Sequence, residues 1–178
     1  MILGFKTQIA GQPTFFVEKI RANVSPILAN TWTPKIHTIR HGNRWRAGMK
    51  MQLAIGVRTK GYYQFNIGEY AALDHCVSVQ EIEINHYIGS LTPEGFKDVY
   101  SPSVYVESEP PKCEFDGMLS KEDQELLGEK PTILYRLLSE IELEQLAKND
   151  GFNSVEDFWN WFTEDFKGQI IHFTDFRY

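Results

Sequence analysis

Cysteine and long apolar runs are both scarce in this chain of 178 residues, which excludes several classes of protein. The two cysteines, Cys76 and Cys113, form no C-x-x-C pair, and the five histidines lack the spacing of metal ligands. We therefore expect no zinc site and no cofactor. No stretch approaches the roughly 20 apolar residues of a membrane span, and a hydrophobic content of 42% argues against disorder.

The N-terminal residues carry no targeting signal that we recognise. Residues 1–5 run straight into Lys6, without the basic region and long apolar region of a secretory signal peptide. We therefore expect a cytoplasmic protein with no membrane partner.

Acidic residues are absent from one long segment. Between Lys19 and Gly68 lie 50 residues without a single Asp or Glu, although they include nine Lys or Arg. Residues 1–70 carry a net charge of +8 and residues 71–178 a net charge of −14, so the overall −6 conceals a basic half. A basic segment of this kind is typical of proteins that bind phosphate-bearing partners.

Periodicity and turn residues predict an α+β fold in a single domain of residues 1–178. Strands outnumber helices and several turn sharply, which favours a small β-barrel flanked by helices. The residues at about 89–131 are acidic and rich in Pro and Gly, which predicts an irregular insertion. The predicted helices open at Pro13, Ser139 and Ser154, and the predicted strands cover residues 1–6, 35–40, 50–58, 62–65, 72–87 and 169–173. In the strand at 72–87 the apolar residues change phase between Val79 and Ile82, which predicts a bulge.

The segment Thr33–Arg40 resembles the ASCH family, whose members carry a Gly-x-Lys-x-x-x-x-Arg pattern after their first helix. Lys35 and Arg40 match that pattern, and Thr33 stands in place of the glycine. Further similar segments are Arg46–Lys50, Asn149–Phe152, Val155–Phe162 and Gly168–Tyr178.

The resemblance implies a PUA-like β-barrel that binds RNA, a nucleotide or a modified nucleoside. One branch of the family consists of small amidohydrolases that release acetate from 4-acetylcytidine. Its catalytic lysine and threonine correspond to Lys35 and Thr38, and its glutamate falls near Asp150. If this chain is an enzyme, the resemblance implies an amidohydrolase.

The chemistry of acyl transfer sets conditions on these residues. It needs a nucleophile, a proton acceptor and a donor for the leaving amine, which Thr38, Lys35 and Asp150 could supply in that order. Lys35 would have to be neutral, through desolvation or through positive charge on His37, Arg40 or His41. On one regular strand, Lys35 and Thr38 would point to opposite faces. They can converge only if Lys35 lies in the turn after Pro34 or the strand is bulged.

The basic segment predicts a binding surface between Lys35 and Lys60, because its cations alternate with aromatic residues that can stack on bases. The residues expected to bind the ligand are Lys35, Arg40, His41, Arg44, Trp45, Arg46 and Tyr62. Alternatively, the cations are solvated rim charges, the aromatic residues belong to the core, and the acidic half neutralises the basic half.

Other features favour structural roles. His75 and Cys76 are neighbours on a strand and point apart, so they do not form a catalytic pair. Trp159, Trp161 and Phe162 are expected in the core, although exposure of Trp161 would change that interpretation. The acidic insertion suggests a third function, a protein-interaction domain that binds a partner through residues 89–131.

Overall fold

The computed structural model describes residues 1–9, 11–92, 95–108 and 134–178, with residues 88–92 and 95–99 described by their backbone alone. The helices of this part are α1 (Phe16–Arg21), α2 (Pro26–Ala29), α3 (Glu140–Asn149), α4 (Val155–Trp161) and a 3₁₀-helix at Gly68–Leu73. Its strands are β1 (Ile2–Phe5), β2 (Gln8–Ile9), β3 (Gln12–Pro13), β4 (His37–His41), β5 (Gln52–Ile55), β6 (Tyr63–Gln64), β7 (Ser78–Thr92), β8 (Gly95–Ser108), β9 (Leu134–Leu137) and β10 (Phe166–His172). The fold is α+β, as the sequence predicts.

The strands form three sheets. Five antiparallel strands have the order β4-β10-β7-β8-β9. A second sheet has the order β1-β5-β6, with β1 parallel to β5, and β2 pairs with β3. Within the described ranges no sheet closes on itself, so the expected barrel is not confirmed.

The five-stranded sheet separates two hydrophobic cores. Ile170 belongs to the core that includes Leu146 of α3 and Phe158 of α4. Its neighbour Ile171 belongs to the core that includes Leu53 of β5 and residues of α1. Because neighbouring strand residues point to opposite faces, burial of both isoleucines means that β10 is covered on both sides.

The two cores also explain the phase change in β7. The bulge predicted between Val79 and Ile82 is not at that position, and the register shift of this strand lies between Asn85 and Tyr87. The pairing between β7 and β10 runs without interruption from Ser78 to Ile84. Val79 packs against one core, while Ile82 and Ile84 belong to the other. The apolar residues therefore change phase because the strand passes from burying one face to burying the other.

Residues 89–92 and 95–108 are β-strand in the structure, where the sequence predicts the start of an irregular insertion. β7 and β8 form a long hairpin there, with a register shift between Asn85 and Tyr87. Pro102 lies at this shift, where a residue without a backbone N–H costs the ladder no hydrogen bond. The rest of the acidic insertion, and with it most of the proposed protein-binding segment, lies outside the described residues.

Local sequence signals position the C-terminal helices. Ser139 caps α3 in a capping box with Glu142, and the Ser154 hydroxyl accepts from the Asp157 N–H at the start of α4. Near the N-terminus, α1 begins at Phe16 instead of Pro13, because Pro13 pairs with β2. Within the described part of the chain, no helix is both long and apolar enough to cross a membrane.

Candidate functional site

Lys35 lies outside the strand that follows it, which removes the geometric objection to its meeting Thr38. Its N–H donates to the Lys19 carbonyl over 3.0 Å, and the neighbouring Ile36 N–H donates to the Asn149 carbonyl over 3.0 Å. These bonds tie the segment before β4 to α1 and to the end of α3. The period-two alternation begins only at His37, so Lys35 and Thr38 can reach the same cavity.

Asp150 is positioned by the turn that ends α3. Gly151 has a φ of +90°, and the Phe152 N–H donates to the Ala147 carbonyl over 3.0 Å. This pattern is a Schellman motif, which favours glycine at its left-handed position. A Cβ at Gly151 would lie 2.8 Å from Phe16 Cε1 and 3.1 Å from Lys35 Cδ, so the turn closes tightly over the lysine.

Lys35 and Asp150 form a buried ion pair. Lys35 Nζ lies 2.5 Å from Asp150 Oδ1 and also donates to the Asp150 carbonyl oxygen. The Ile39 N–H donates to the same carboxylate oxygen over 3.3 Å. The two side chains are only 1% and 8% exposed.

Burial shifts the pKa of each group in the direction that favours its uncharged form. It lowers the pKa of Lys35 to about 8, against the opposing attraction of Asp150. It raises the pKa of Asp150, against the opposing attraction of Lys35. Such perturbed groups beside a cavity are typical of functional sites. The desolvation that the sequence argument required for a neutral Lys35 is therefore present.

The residues expected to be catalytic line a cavity of about 130 Å³. Lys35, Thr38 and Asp150 all line it, and so does Arg40. The Arg40 guanidinium donates to the Gly4 carbonyl over 2.8 Å and lies over the ring of Phe5, 5.2 Å from its centroid.

Aromatic side chains from distant segments form much of the remaining wall. These are Phe5, Phe16, Phe152 and Trp161. Trp161 is 38% exposed, which corrects its expected place in the core, and Lys6 Nζ lies 4.7 Å from its ring centroid. Phe162, by contrast, is buried in the core as expected. Because the four rings come from separate parts of the chain, the sequence carried no pattern that could group them.

The other expected ligand-binding residues do not line this cavity. His41, Arg44, Arg46 and Tyr62 are exposed elsewhere. Trp45 is 1% exposed and lies in the core, so the prediction that its ring stacks on a base is wrong. Among the described residues, no exposed cation of residues 41–60 lies within 4.0 Å of a carboxylate oxygen. The hydrogen bond with His75 lowers the pKa of Asp74, however, and the charge of Lys50 helps to lower it.

A buried cluster that the sequence argument missed lies behind Asp150. His37 and His172 are partners in the β4–β10 register, with ring centroids 5.6 Å apart. His37 Nε2 lies 3.1 Å from Tyr178 Oη, and His37 Nδ1 lies 4.0 Å from Asp150 Oδ1. Burial lowers the pKa of His37 well below its usual value and that of His172 to about 4. Both rings are therefore neutral near pH 7 and add no positive charge to the site.

Two features that the sequence singles out, the His75–Cys76 neighbours and the histidines, form no second site in the part of the chain that the structure describes. His75 Nδ1 lies 2.6 Å from Asp74 Oδ1, whereas the Cys76 thiol is buried and directed at the Ser78 carbonyl. In the described ranges, no group of three or more His, Cys, Asp or Glu could hold a metal ion.

Comparison with known proteins adds no assignment: no protein-family profile matches the chain, and no curated protein or solved structure shows significant similarity to it.

Proposed function

We propose that the protein is an ASCH-type, PUA-like domain that binds a pyrimidine base, as part of a modified nucleoside, nucleotide or RNA, in the Lys35–Asp150 cavity. The observation that carries the proposal is the convergence of Lys35, Thr38, Arg40 and Asp150 on one cavity with aromatic walls. The proposal therefore assigns the ligand to this cavity and not to the basic surface at residues 41–60.

The size of the cavity favours a single six-membered ring. An apolar cavity of about 150 Å³ holds one benzene molecule, and this cavity measures about 130 Å³. A pyrimidine base is of that size, whereas a bicyclic purine is larger. The base would stack on the aromatic walls while its edge meets the Lys35 ammonium and the Asp150 carboxylate.

Calorimetric titration tests this proposal. Cytidine, uridine and adenosine are titrated into the native protein, Lys35→Met and Arg44→Ala. We expect the pyrimidine nucleosides to bind more tightly than adenosine, and Lys35→Met to abolish that binding. Arg44→Ala removes an exposed cation outside the cavity and is the matched control, so it should retain the affinity. Equal binding by Lys35→Met, or loss of binding in Arg44→Ala alone, would assign the ligand to the basic surface.

The position of Thr38 favours a second function, hydrolysis of an acylated pyrimidine nucleoside such as 4-acetylcytidine. In this reaction the Thr38 hydroxyl attacks the acetyl carbon while neutral Lys35 takes its proton. The C–N bond then breaks, and protonated Asp150 gives its proton to the leaving amine. Water next attacks the acetyl-threonine ester and returns a proton to Asp150. Lys35 reprotonates the Thr38 oxygen, and the product leaves as acetic acid, which loses its proton to bulk water as acetate.

Acetate release from 4-acetylcytidine tests the second function. The reacting form carries one proton on the Lys35–Asp150 pair, so we expect native turnover to fall as the pH rises through about 8, where the pair loses that proton. Thr38→Ala and Lys35→Met should be inactive, Thr38→Ser should retain activity, and Arg44→Ala should match the native protein. Unchanged turnover in Thr38→Ala would rule out the mechanism, and binding without turnover would leave the first function alone.

A further inference from the structure

Two hollows continue from the base cavity along the same side of the molecule. The first has a volume of about 220 Å³ and shares Phe16, Phe152 and Trp161 with the cavity. The second has a volume of about 600 Å³ and shares Lys19 and Asn153 with the first. The three spaces are neighbours through these shared residues, and we call them together the groove; its volume far exceeds that of a single base.

The chemistry of the lining changes along this groove. Asn153, Asp157 and Asn160 line the 220 Å³ hollow, where they can exchange hydrogen bonds with sugar hydroxyls. Among the described residues that line the 600 Å³ hollow, the charged ones are Lys19 and Lys148. Lys19 Nζ donates to the Gly151 carbonyl over 2.9 Å, which holds its charge at the junction of the hollows. The outer hollow is therefore suited to an anionic group.

A pair of stacked aromatic rings lies at the outer end. The ring centroids of Phe15 and Trp32 are 4.6 Å apart with an interplanar angle of 29°, and both residues line the 600 Å³ hollow. Phe15 is 42% exposed and has a φ of 52°. A bulky residue in this left-handed region is strained, and such strain is concentrated at functional sites. Exposed rings beside cations are a platform for stacking a base.

We infer that the groove holds a single-stranded dinucleotide unit: a pyrimidine in the cavity, its ribose at Asp157 and Asn160, a phosphate at Lys19 and Lys148, and a second base on the Phe15–Trp32 pair. This inference rests on the proposed base site and names its ligand as a nucleotide linked to a neighbour. The same chemistry is offered by a free dinucleotide and by the end of an RNA strand.

The inference is tested by measuring the affinity of the protein for three kinds of probe. These are cytidine, the two dinucleoside monophosphates of cytidine and adenosine, and a single-stranded RNA that ends in cytidine. We expect at least one dinucleotide to bind more tightly than cytidine. Trp32→Ala should lower the affinity for the more tightly bound dinucleotide by about 5- to 150-fold. The affinity for cytidine should not change. Lys148→Ala should reduce the salt dependence of dinucleotide binding, with a slope lower by up to about 0.7. Tyr62→Ala, an exposed ring outside the groove, is the control.

The outcomes separate the two proposals. If cytidine binds but neither dinucleotide binds more tightly, or if Trp32→Ala weakens cytidine equally, the groove does not hold a second nucleotide and the base site stands. If the native protein binds none of the probes, the base site itself is wrong. Tighter binding of the RNA end than of either dinucleotide would identify RNA as the source of the ligand.

Discussion

Replacing both members of the buried ion pair should retain stability and abolish ligand binding. Burial lowers the pKa of Lys35 from 10.5 to about 8. A folded-state pKa below the unfolded value means that the unfolded chain holds the proton more strongly, so stability rises as pH increases from about 8 to 10.5. The shift corresponds to about 3 kcal/mol at 1.36 kcal/mol per pKa unit. Near pH 7, holding Lys35 charged therefore costs the fold about 3 kcal/mol.

Single replacements should behave differently from the double replacement. Lys35→Met leaves the Asp150 carboxylate buried without its counter-charge, which costs about 3–5 kcal/mol in comparable pairs. Asp150→Asn leaves Lys35 without its partner and lowers the lysine pKa further. In Lys35→Met/Asp150→Asn both charges are gone, while the amide oxygen can still accept from the Ile39 N–H. We expect the double variant to be as stable as the native protein or more stable.

Urea unfolding at pH 7 measures these free energies, and cytidine titration of the same samples measures binding. The two single variants should lose stability, whereas the double variant should regain it and bind no ligand. A double variant that is as unstable as the single variants would mean that these two side chains stabilise the fold. That result would refute the reasoning that the pair is maintained for its ligand.

Three further changes have defined expected outcomes. Gly151→Ala should destabilise the protein more than Gly42→Ala. Both glycines have positive φ, but only a Cβ at Gly151 would collide with Phe16. Thermal unfolding of the two variants measures this difference in stability. His172 should contribute about 3 kcal/mol of acid destabilisation between pH 6.5 and about 4, because the unfolded chain protonates before this buried ring does. Urea unfolding of His172→Gln should therefore show a weaker pH dependence than that of the native protein. Ser139→Ala should cost about 1 kcal/mol by loss of the α3 cap, without affecting ligand titration.

Local signals were sufficient for the C-terminal helices. The Ser139 and Glu142 pair and the run ending at Gly151 fixed both ends of α3, because caps depend on neighbouring residues only. The β7–β8 hairpin could not be inferred in the same way. Pro102 and the surrounding polar residues argue against a strand until the partner strand supplies a register shift that tolerates them.

The site was predictable in part. Lys35, Thr38 and Asp150 were identified through a resemblance and by the chemistry of acyl transfer, and they line one cavity. The aromatic walls were not predicted, because tertiary packing alone brings Phe5, Phe16, Phe152 and Trp161 together. Trp45 was misplaced for the opposite reason: its neighbours in sequence are cations, but its ring fills the core.

A crystal structure of the native protein with bound cytidine is the most direct measurement of the central claim. We predict that the pyrimidine ring lies in the 130 Å³ cavity, against Phe16 or Trp161, with its edge within hydrogen-bond distance of Lys35 Nζ or the Asp150 carboxylate. Cytidine bound at Arg44 and Arg46 with nothing in the cavity would contradict it.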